Sequence, residues 1–136
     1  MTVFICTDDR GGMMFNKRRQ SRDKRVIEDV IRTADDGAIY ITDYSEPLFA
    51  ESETSVIAVS DPMASAGKGS YAFIENIPLA KYADKITRLI VYRWNRLYPS
   101  DVSMDINPKE IGLKLKNKRD FTGTSHDRIT REEYAR

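Results

Sequence analysis

The sequence NKRRQSRDKR, residues 16–25, concentrates the side chains most suited to binding an anion, since six of its ten residues are Lys or Arg. Guanidinium groups bind carboxylates and phosphates through paired hydrogen bonds. We therefore take Arg18, Arg19 and Arg22, with the amide of Asn16, as candidate ligand-binding residues. The same composition also fits a solvated entrance to a helix, in which nearby carboxylates such as Glu28 would neutralise the arginines.

Nucleic acid is a third partner that a basic segment can bind. The whole chain carries a net charge of only +1, so no general polyanion-binding field is expected. Only Phe15 adjoins the segment as an aromatic platform for base stacking. Binding of nucleic acid through Lys17–Arg25 is therefore an alternative that the sequence does not favour.

Asp23 is the candidate catalytic residue, because a buried carboxyl beside a heterocycle can act as a general acid. Its neighbours Arg22, Lys24 and Arg25 instead favour a plain anion that caps a helix or forms an ion pair. Ser125 and His126 are adjacent, and adjacent side chains of a strand point to opposite faces. We therefore expect a polar turn there and no nucleophile–base pair.

The 136 residues are 40% hydrophobic and 32% charged, which predicts a single α/β domain over residues 1–136. The lone Cys6 and lone His126 argue against a disulfide and against a metal site. No apolar run has the length of a membrane span, and the first residues lack the pattern of a signal peptide. A cytoplasmic protein is expected, and association into a homo-oligomer is left open.

Hydrophobic periodicity predicts a strand–helix–strand start and a series of later strands. The helix carries an apolar face of Val26, Ile27, Val30, Ile31 and Ala34, with Ser21 as its N-cap. Predicted strands cover residues 2–8, 38–42, 55–60, 70–75, 86–94 and 112–117, with a short helix over residues 78–84. Residues 129–136 fit either a strand or a helix. This order indicates an open sheet, mostly parallel, with antiparallel C-terminal strands and few short helices.

The order of elements resembles a shortened, divergent dihydrofolate reductase. Residues 78–94 (PLAKYADKITRLIVYRW) resemble a short helix and following strand of that family, and residues 98–115 resemble a later passage. Residues 5–14 (ICTDDRGGMM) resemble its first strand and mobile loop, and residues 21–31 its first helix. The resemblance implies an α/β reductase fold, with Asp23 nearest the place of the catalytic acid.

Departures from that family concern the nicotinamide cofactor. Its phosphate-binding segment after the second strand is replaced here by residues 42–45, with Asp43 where a cation is expected. Its Gly-Gly pair, which lets backbone approach a pyrophosphate, is replaced by Glu75 and Asn76. The resemblance therefore implies a reductase-like fold without a cofactor, in which Glu75 and Asn76 are candidate contacts for another ligand.

The segments RRQSRD and YRWNRLYP also resemble short bacterial proteins that sometimes carry the label ribonuclease Z. That activity requires a zinc-binding cluster of several histidines, which one histidine cannot supply. In YRWNRLYP, Trp94 is a candidate ligand-binding residue beside Tyr98, because aromatic side chains with neighbouring arginines are frequent binding anchors.

The function expected from these residues is binding of a small anionic or heterocyclic ligand, and the sequence favours binding over catalysis. An active reductase that uses Asp23 is the first alternative, and nucleic-acid binding is the second.

Overall fold

The computed structural model describes residues 1–52 and 54–136. Its strands, in chain order, are β1 (Thr2–Thr7), β2 (Gly12–Phe15), β3 (Arg18–Arg19), β4 (Ile39–Ile41), β5 (Val56–Ala58), β6 (Tyr71–Phe73), β7 (Arg88–Arg93), β8 (Val102–Ser103), β9 (Lys114–Phe121) and β10 (Ile129–Ala135). The helices are α1 (Lys24–Ala34), the one-turn α2 (Pro62–Ser65) and two 3₁₀ helices, Asp43–Phe49 and Ala80–Lys85. None of the described helices is both long enough and apolar enough to cross a membrane.

Seven strands form one sheet in the order β5-β4-β6-β1-β7-β10-β9. The first five are parallel to one another, while β10 runs antiparallel to both β7 and β9. The mostly parallel sheet with antiparallel C-terminal strands is confirmed. The C-terminal residues, for which strand and helix were both open, form β10.

The sheet is apolar on both faces, as a parallel sheet covered on both sides must be. In β1, Val3 and Ile5 are buried in one core with Met13 and Met14 of β2. Phe4 points the other way and is buried in a second core with the apolar face of α1. Successive side chains of a strand alternate between faces, so β1 joins the two cores.

Helix α1 begins later than the sequence predicts. Its N-cap is Asp23, whose side chain accepts the N–H groups of Arg25 and Val26, and the prediction of Ser21 as N-cap is wrong. The basic segment before the helix also contains a strand, because Arg18 and Arg19 form β3 and pair with β2. This pairing lies in a separate three-stranded sheet, β3-β2-β8, which the short runs of apolar residues did not reveal.

At the other end of the main sheet, β9 is the last strand in the order. All of its residues but Phe121 are exposed, and four of them are Lys or Arg. Its pairing with β10 shifts between Asn117 and Leu115, so Lys116 is an extra residue of a β-bulge.

Asp29 of α1 holds the helix to the sheet. Its carboxylate accepts hydrogen bonds from Tyr92 of β7, at 2.5 Å, and from Arg131 of β10, at 2.8 Å. Arg32 and Arg119 add ion pairs from more exposed positions. Burial alone would raise the pKa of Asp29, but the hydrogen bonds from Tyr92 and Arg32 and the charge of Arg131 hold this pKa below its usual value.

Replacing Asp29 with Asn should lower the free energy of unfolding by about 3 kcal/mol at neutral pH, because it removes the more buried of the two carboxylates that pair with Arg131 and leaves only Glu133. A carboxyl whose pKa is lowered by folding stabilises the protein above its unfolded pKa of about 3.9, and that contribution is lost as the pH falls through the folded value. The wild type should therefore lose stability below about pH 4 more steeply than the variant. Urea unfolding at several pH values measures both effects.

The control is Glu28→Gln on the same helix, where the side chain is exposed. Its effect should stay within about 0.5 kcal/mol. Equal losses in the two variants would show that the Asp29 cluster adds nothing specific.

Candidate functional site

The carboxyl ends of β1, β6 and β7 lie side by side, which is where open α/β sheets bind ligands. Cys6, Glu75 and Trp94 come from these strand ends and line one cavity, here called the cleft cavity. Met13 and Gln20 of the β2–β3 segment close over it. The cavity encloses only about 20 Å³, which is room for about one water molecule.

An ion pair between Arg19 and Glu75 closes this cavity. The Nε of Arg19 lies 2.8 Å from Oε1 of Glu75, and its second nitrogen, NH2, lies 3.1 Å from Oε2. Ser45 donates its hydroxyl to the same carboxylate at 2.7 Å. The guanidinium also lies over the ring of Tyr44, whose hydroxyl accepts the backbone N–H of Arg19. The charges of Arg19 and Glu75 thus neutralise each other, and each side chain has hydrogen-bond partners within the protein.

The end of β4 presents further acidic and polar groups. Thr42 donates its hydroxyl to the side chain of Asn76 at 3.1 Å, which ties the end of β4 to the segment after β6. Asp43 follows as an exposed residue in the first turn of its 3₁₀ helix. The cationic side chains that line the cleft cavity are Arg19, which is paired with Glu75, and Arg22, which donates to the carbonyl of Pro47.

Asp23 is buried and fully hydrogen-bonded. Besides capping α1 with Oδ1, it accepts the N–H and the hydroxyl of Ser125 on Oδ2, each at 2.8 Å. Burial would raise the pKa of Asp23, but the hydrogen bonds from Ser125, Val26 and Arg25 outweigh that effect and lower the pKa. Asp23 is therefore a stable carboxylate, a poor donor of a proton.

The loop over residues 122–127 passes directly across Asp23. Gly123 approaches so closely that a Cβ atom in its place would collide with Oδ2 of Asp23. The N–H of Gly123 donates to the carbonyl of His126, closing a turn. The absence of a side chain at position 123 is therefore what allows the loop to reach the carboxylate.

Ser125 and His126 lie within hydrogen-bonding distance, at 2.7 Å between Oγ and Nδ1, contrary to the expectation that they face apart. The expectation assumed a strand, whereas these residues belong to the turn. Because the hydroxyl of Ser125 donates to Asp23, Nδ1 of His126 carries the proton toward Ser125 and cannot serve as its base. The pair therefore positions the loop and does not form an activated nucleophile.

His126 is fixed on its other sides as well. Its Nε2 lies 2.6 Å from the hydroxyl of Tyr98, and its ring stacks on Trp94 with centroids 4.9 Å apart. Burial lowers the pKa of His126 and the nearby charge of Arg96 adds to this, although Asp23 opposes it. Trp94 is accordingly packed under the loop as well as at the edge of the cleft cavity.

A larger groove, here called the α1 groove, runs along α1 and has a volume of about 480 Å³. Ile27, Ile31 and Leu48 are its apolar lining residues. The cationic side chains that line it are Arg22 and Lys24. Glu28, Glu51, Ser52, Asp23 and Thr124 complete the lining.

The structure separates the residues that the basic segment brought together in sequence. Arg19 faces Glu75, Arg22 lines the α1 groove, and Arg18 and Asn16 lie on the outer side of the β2–β3 hairpin. Gln20, Ser45 and Leu48 are site residues that sequence reasoning missed. They carry no distinctive spacing, and only the folded chain places them beside the cleft.

The seven-stranded sheet, its antiparallel C-terminal strands and the hairpin over its carboxyl edge define a dihydrofolate reductase fold. No family model and no curated protein sequence matches the chain. Among solved structures, the dihydrofolate reductase from Enterococcus faecalis, complexed with NADP(H) and RAB-propyl, superposes with a TM-score of 0.68. The match covers 99% of this chain and 95% of that chain at 6% sequence identity, so the fold is shared although the sequences have diverged.

Replacing Ser125 with Ala should raise the pKa of Asp23 toward its ordinary value, because one of the two donors to Oδ2 is lost. The free energy of unfolding should fall by about 1 kcal/mol, since the lost hydrogen bond is to a charged group but lies near the surface. Carbon-13 NMR of the carboxyl group gives the pKa, and urea unfolding gives the stability.

Ser60→Ala is the matched control, because Ser60 is exposed and its hydroxyl has no partner among the described residues. An unchanged pKa of Asp23 in Ser125→Ala would show that the loop does not stabilise the carboxylate.

Proposed function

We propose that the protein binds a small heterocyclic molecule with an anionic group in the α1 groove, and does so without a nicotinamide cofactor. The observation that supports this proposal is the set of residues that line the groove. Ile27, Ile31 and Leu48 offer apolar surface to a ring, while Arg22 and Lys24 attract an anion. The carboxylates of Glu28 and Glu51 can accept N–H groups of a heterocycle.

The cleft beside the groove is poorly suited to a pyrophosphate. The position after β6 carries the carboxylate of Glu75, and the nearby guanidinium of Arg19 is already bound to it. An incoming phosphate would meet this carboxylate and that of the exposed Asp43, while the guanidinium of Arg22, which also lines the cavity, donates to the carbonyl of Pro47. Like charges at such short range disfavour binding, so the residues present do not fit the cofactor.

The state of Asp23 also supports binding over reduction. A general acid works best with a pKa near the working pH, whereas hydrogen bonds hold the pKa of Asp23 below its usual value. The same carboxylate lines the α1 groove, where its four accepted hydrogen bonds hold it as a fixed negative charge.

The basic segment as a whole does not support nucleic-acid binding. Arg19, Arg22 and Arg25 each donate to oxygen atoms of the protein. Lys17, Arg18 and Lys24 are left at the surface, too few to form an extended phosphate-binding track.

A heterocyclic carboxylate, such as pterin-6-carboxylate, should raise the melting temperature of the protein in a concentration-dependent way, because a ligand that binds only the folded state stabilises it. The double variant Arg22→Gln, Lys24→Gln should weaken this binding about tenfold or more, since it removes both cations of the groove. Thermal unfolding and calorimetric titration measure the two effects.

The control is Lys116→Gln, Arg128→Gln, which removes the same charge from exposed positions that line neither the cleft cavity nor the α1 groove. Equal weakening in both double variants would show that only net charge matters. Failure of a panel of pterins and nucleotides to stabilise the protein at millimolar concentration would refute the proposal.

An active reductase is the second candidate, favoured by the shared fold alone. It requires the reduced nicotinamide cofactor to bind beside Glu75 and Asp43. We expect no saturable binding when the protein is titrated into the fluorescent reduced cofactor, because its phosphates would meet the carboxylates of Glu75 and Asp43. Saturation in the micromolar range would replace our proposal with the reductase.

A further inference from the structure

A second open depression lies on the outer side of the β2–β3 hairpin and is here called the hairpin groove. Its volume is about 320 Å³. The residues that matter for binding are Phe15, Asn16, Arg18, Gln20, Tyr98 and Pro99. It shares no lining residue with the α1 groove, so the two can be tested separately.

Gln20 supplies an unsatisfied acceptor at this groove. Its Nε2 donates to Oδ2 of the buried Asp8 at 3.1 Å, which fixes the orientation of the amide. Its Oε1 is buried and has no hydrogen-bond partner among the described residues. A buried carbonyl oxygen without a donor is unfavourable. Gln20 lines both the hairpin groove and the cleft cavity, so this amide lies between the two.

Arg18 supplies the positive charge at the hairpin groove. Its guanidinium is exposed and forms no ion pair with any residue in the described ranges, whereas that of Arg19 is occupied by Glu75. No carboxylate lines the hairpin groove. The groove therefore favours an anion, and a guanidinium binds phosphate oxygens in pairs.

Two aromatic rings border the same groove. Phe15 is 49% exposed, which is unusual for a large apolar side chain. Tyr98 is held in place, because its backbone N–H donates to Asp8 and its hydroxyl contacts His126. A fixed ring and an exposed ring suit the stacking of a flat heterocycle, which typically contributes about 1–3 kcal/mol per base.

The hairpin turn presents Phe15 and Arg18 together. These two residues are a cross-strand pair of β2 and β3. The intervening Asn16 and Lys17 both have positive φ angles, 51° and 63°, as in the tight two-residue turns of hairpins. The turn thus fixes the ring and the guanidinium side by side.

We propose that the hairpin groove is a binding site for a nucleoside monophosphate. The base stacks against Phe15 and Tyr98, beside the amide of Gln20, and the phosphate binds Arg18. This site goes beyond the function proposed for the α1 groove and stands without it.

Calorimetric titration with AMP, adenosine and ribose 5-phosphate tests the assignment. AMP should bind saturably, and each fragment about tenfold or more weakly, because one lacks the phosphate and the other the base. Phe15→Ala and Arg18→Gln should each weaken AMP binding about tenfold, since each removes one of the two main contacts. Both side chains are exposed, so the variants should fold.

Leu115→Ala and Arg128→Gln are the controls, because they remove an exposed apolar and an exposed cationic side chain elsewhere. No AMP binding at millimolar concentration, equal affinity for AMP and ribose 5-phosphate, or unchanged binding by Arg18→Gln would each overturn the assignment. Loss of AMP binding in Arg22→Gln, Lys24→Gln would place the nucleotide in the α1 groove instead. Tighter binding of a single-stranded hexanucleotide, falling steeply with salt, would replace it with nucleic-acid binding.

Discussion

The ion pair between Arg19 and Glu75 links the β2–β3 hairpin to the carboxyl edge of the main sheet. Glu75 follows β6, beside the central strand β1, so its carboxylate stands where the sheet is most open to a ligand. Arg19 of β3 binds this carboxylate. Ser45 donates its hydroxyl to Glu75, and the ring of Tyr44 packs against the guanidinium of Arg19. Two hydrogen bonds between charged groups make this contact strong and directional. The cleft cavity beside this pair shares lining residues with both outer grooves, which share none with each other.

The first helix depends on a related arrangement. Asp23 compensates the unpaired N–H groups at the start of α1, and the loop with Gly123 and Ser125 covers the same carboxylate from outside. Six residues further on, Asp29 ties the helix to β7 and β10 through Tyr92 and Arg131. Two carboxylates therefore place one face of α1 against the sheet. The remaining face is free to line a groove.

The five parallel strands of the main sheet were predictable, because each carries a run of apolar residues. The predicted strand over residues 112–117 overlaps only the start of the polar edge strand β9, and the sequence left β10 open between strand and helix. The apolar stripe from Val26 to Ala34 likewise indicated α1. The β3-β2-β8 sheet was not predictable, since strands of two to four residues leave no periodicity to detect. The N-cap was misplaced because Ser21 and Asp23 are both suited to that role, and only the contact with Ser125 distinguishes them.

Prediction of the site was less complete than prediction of the fold. The basic segment was visible in the sequence, but the partner of Arg19 lies 56 residues away, at Glu75. Contacts of this range depend on the order of strands, which local pattern does not encode. The contact between Ser125 and His126 was missed for another reason: the turn that brings the side chains together depends on Gly123.

The open edge of the sheet at β9 has a consequence for the behaviour of the protein in solution. A long strand without a neighbour on one side can recruit another strand and start aggregation. Here the edge carries Lys114, Lys116, Lys118 and Arg119, and the bulge at Lys116 interrupts its regular hydrogen-bonding pattern. Two such edges repel each other, because identical strands bring like charges together. The lysines that make β9 polar therefore also disfavour association of the molecules through this edge at high concentration.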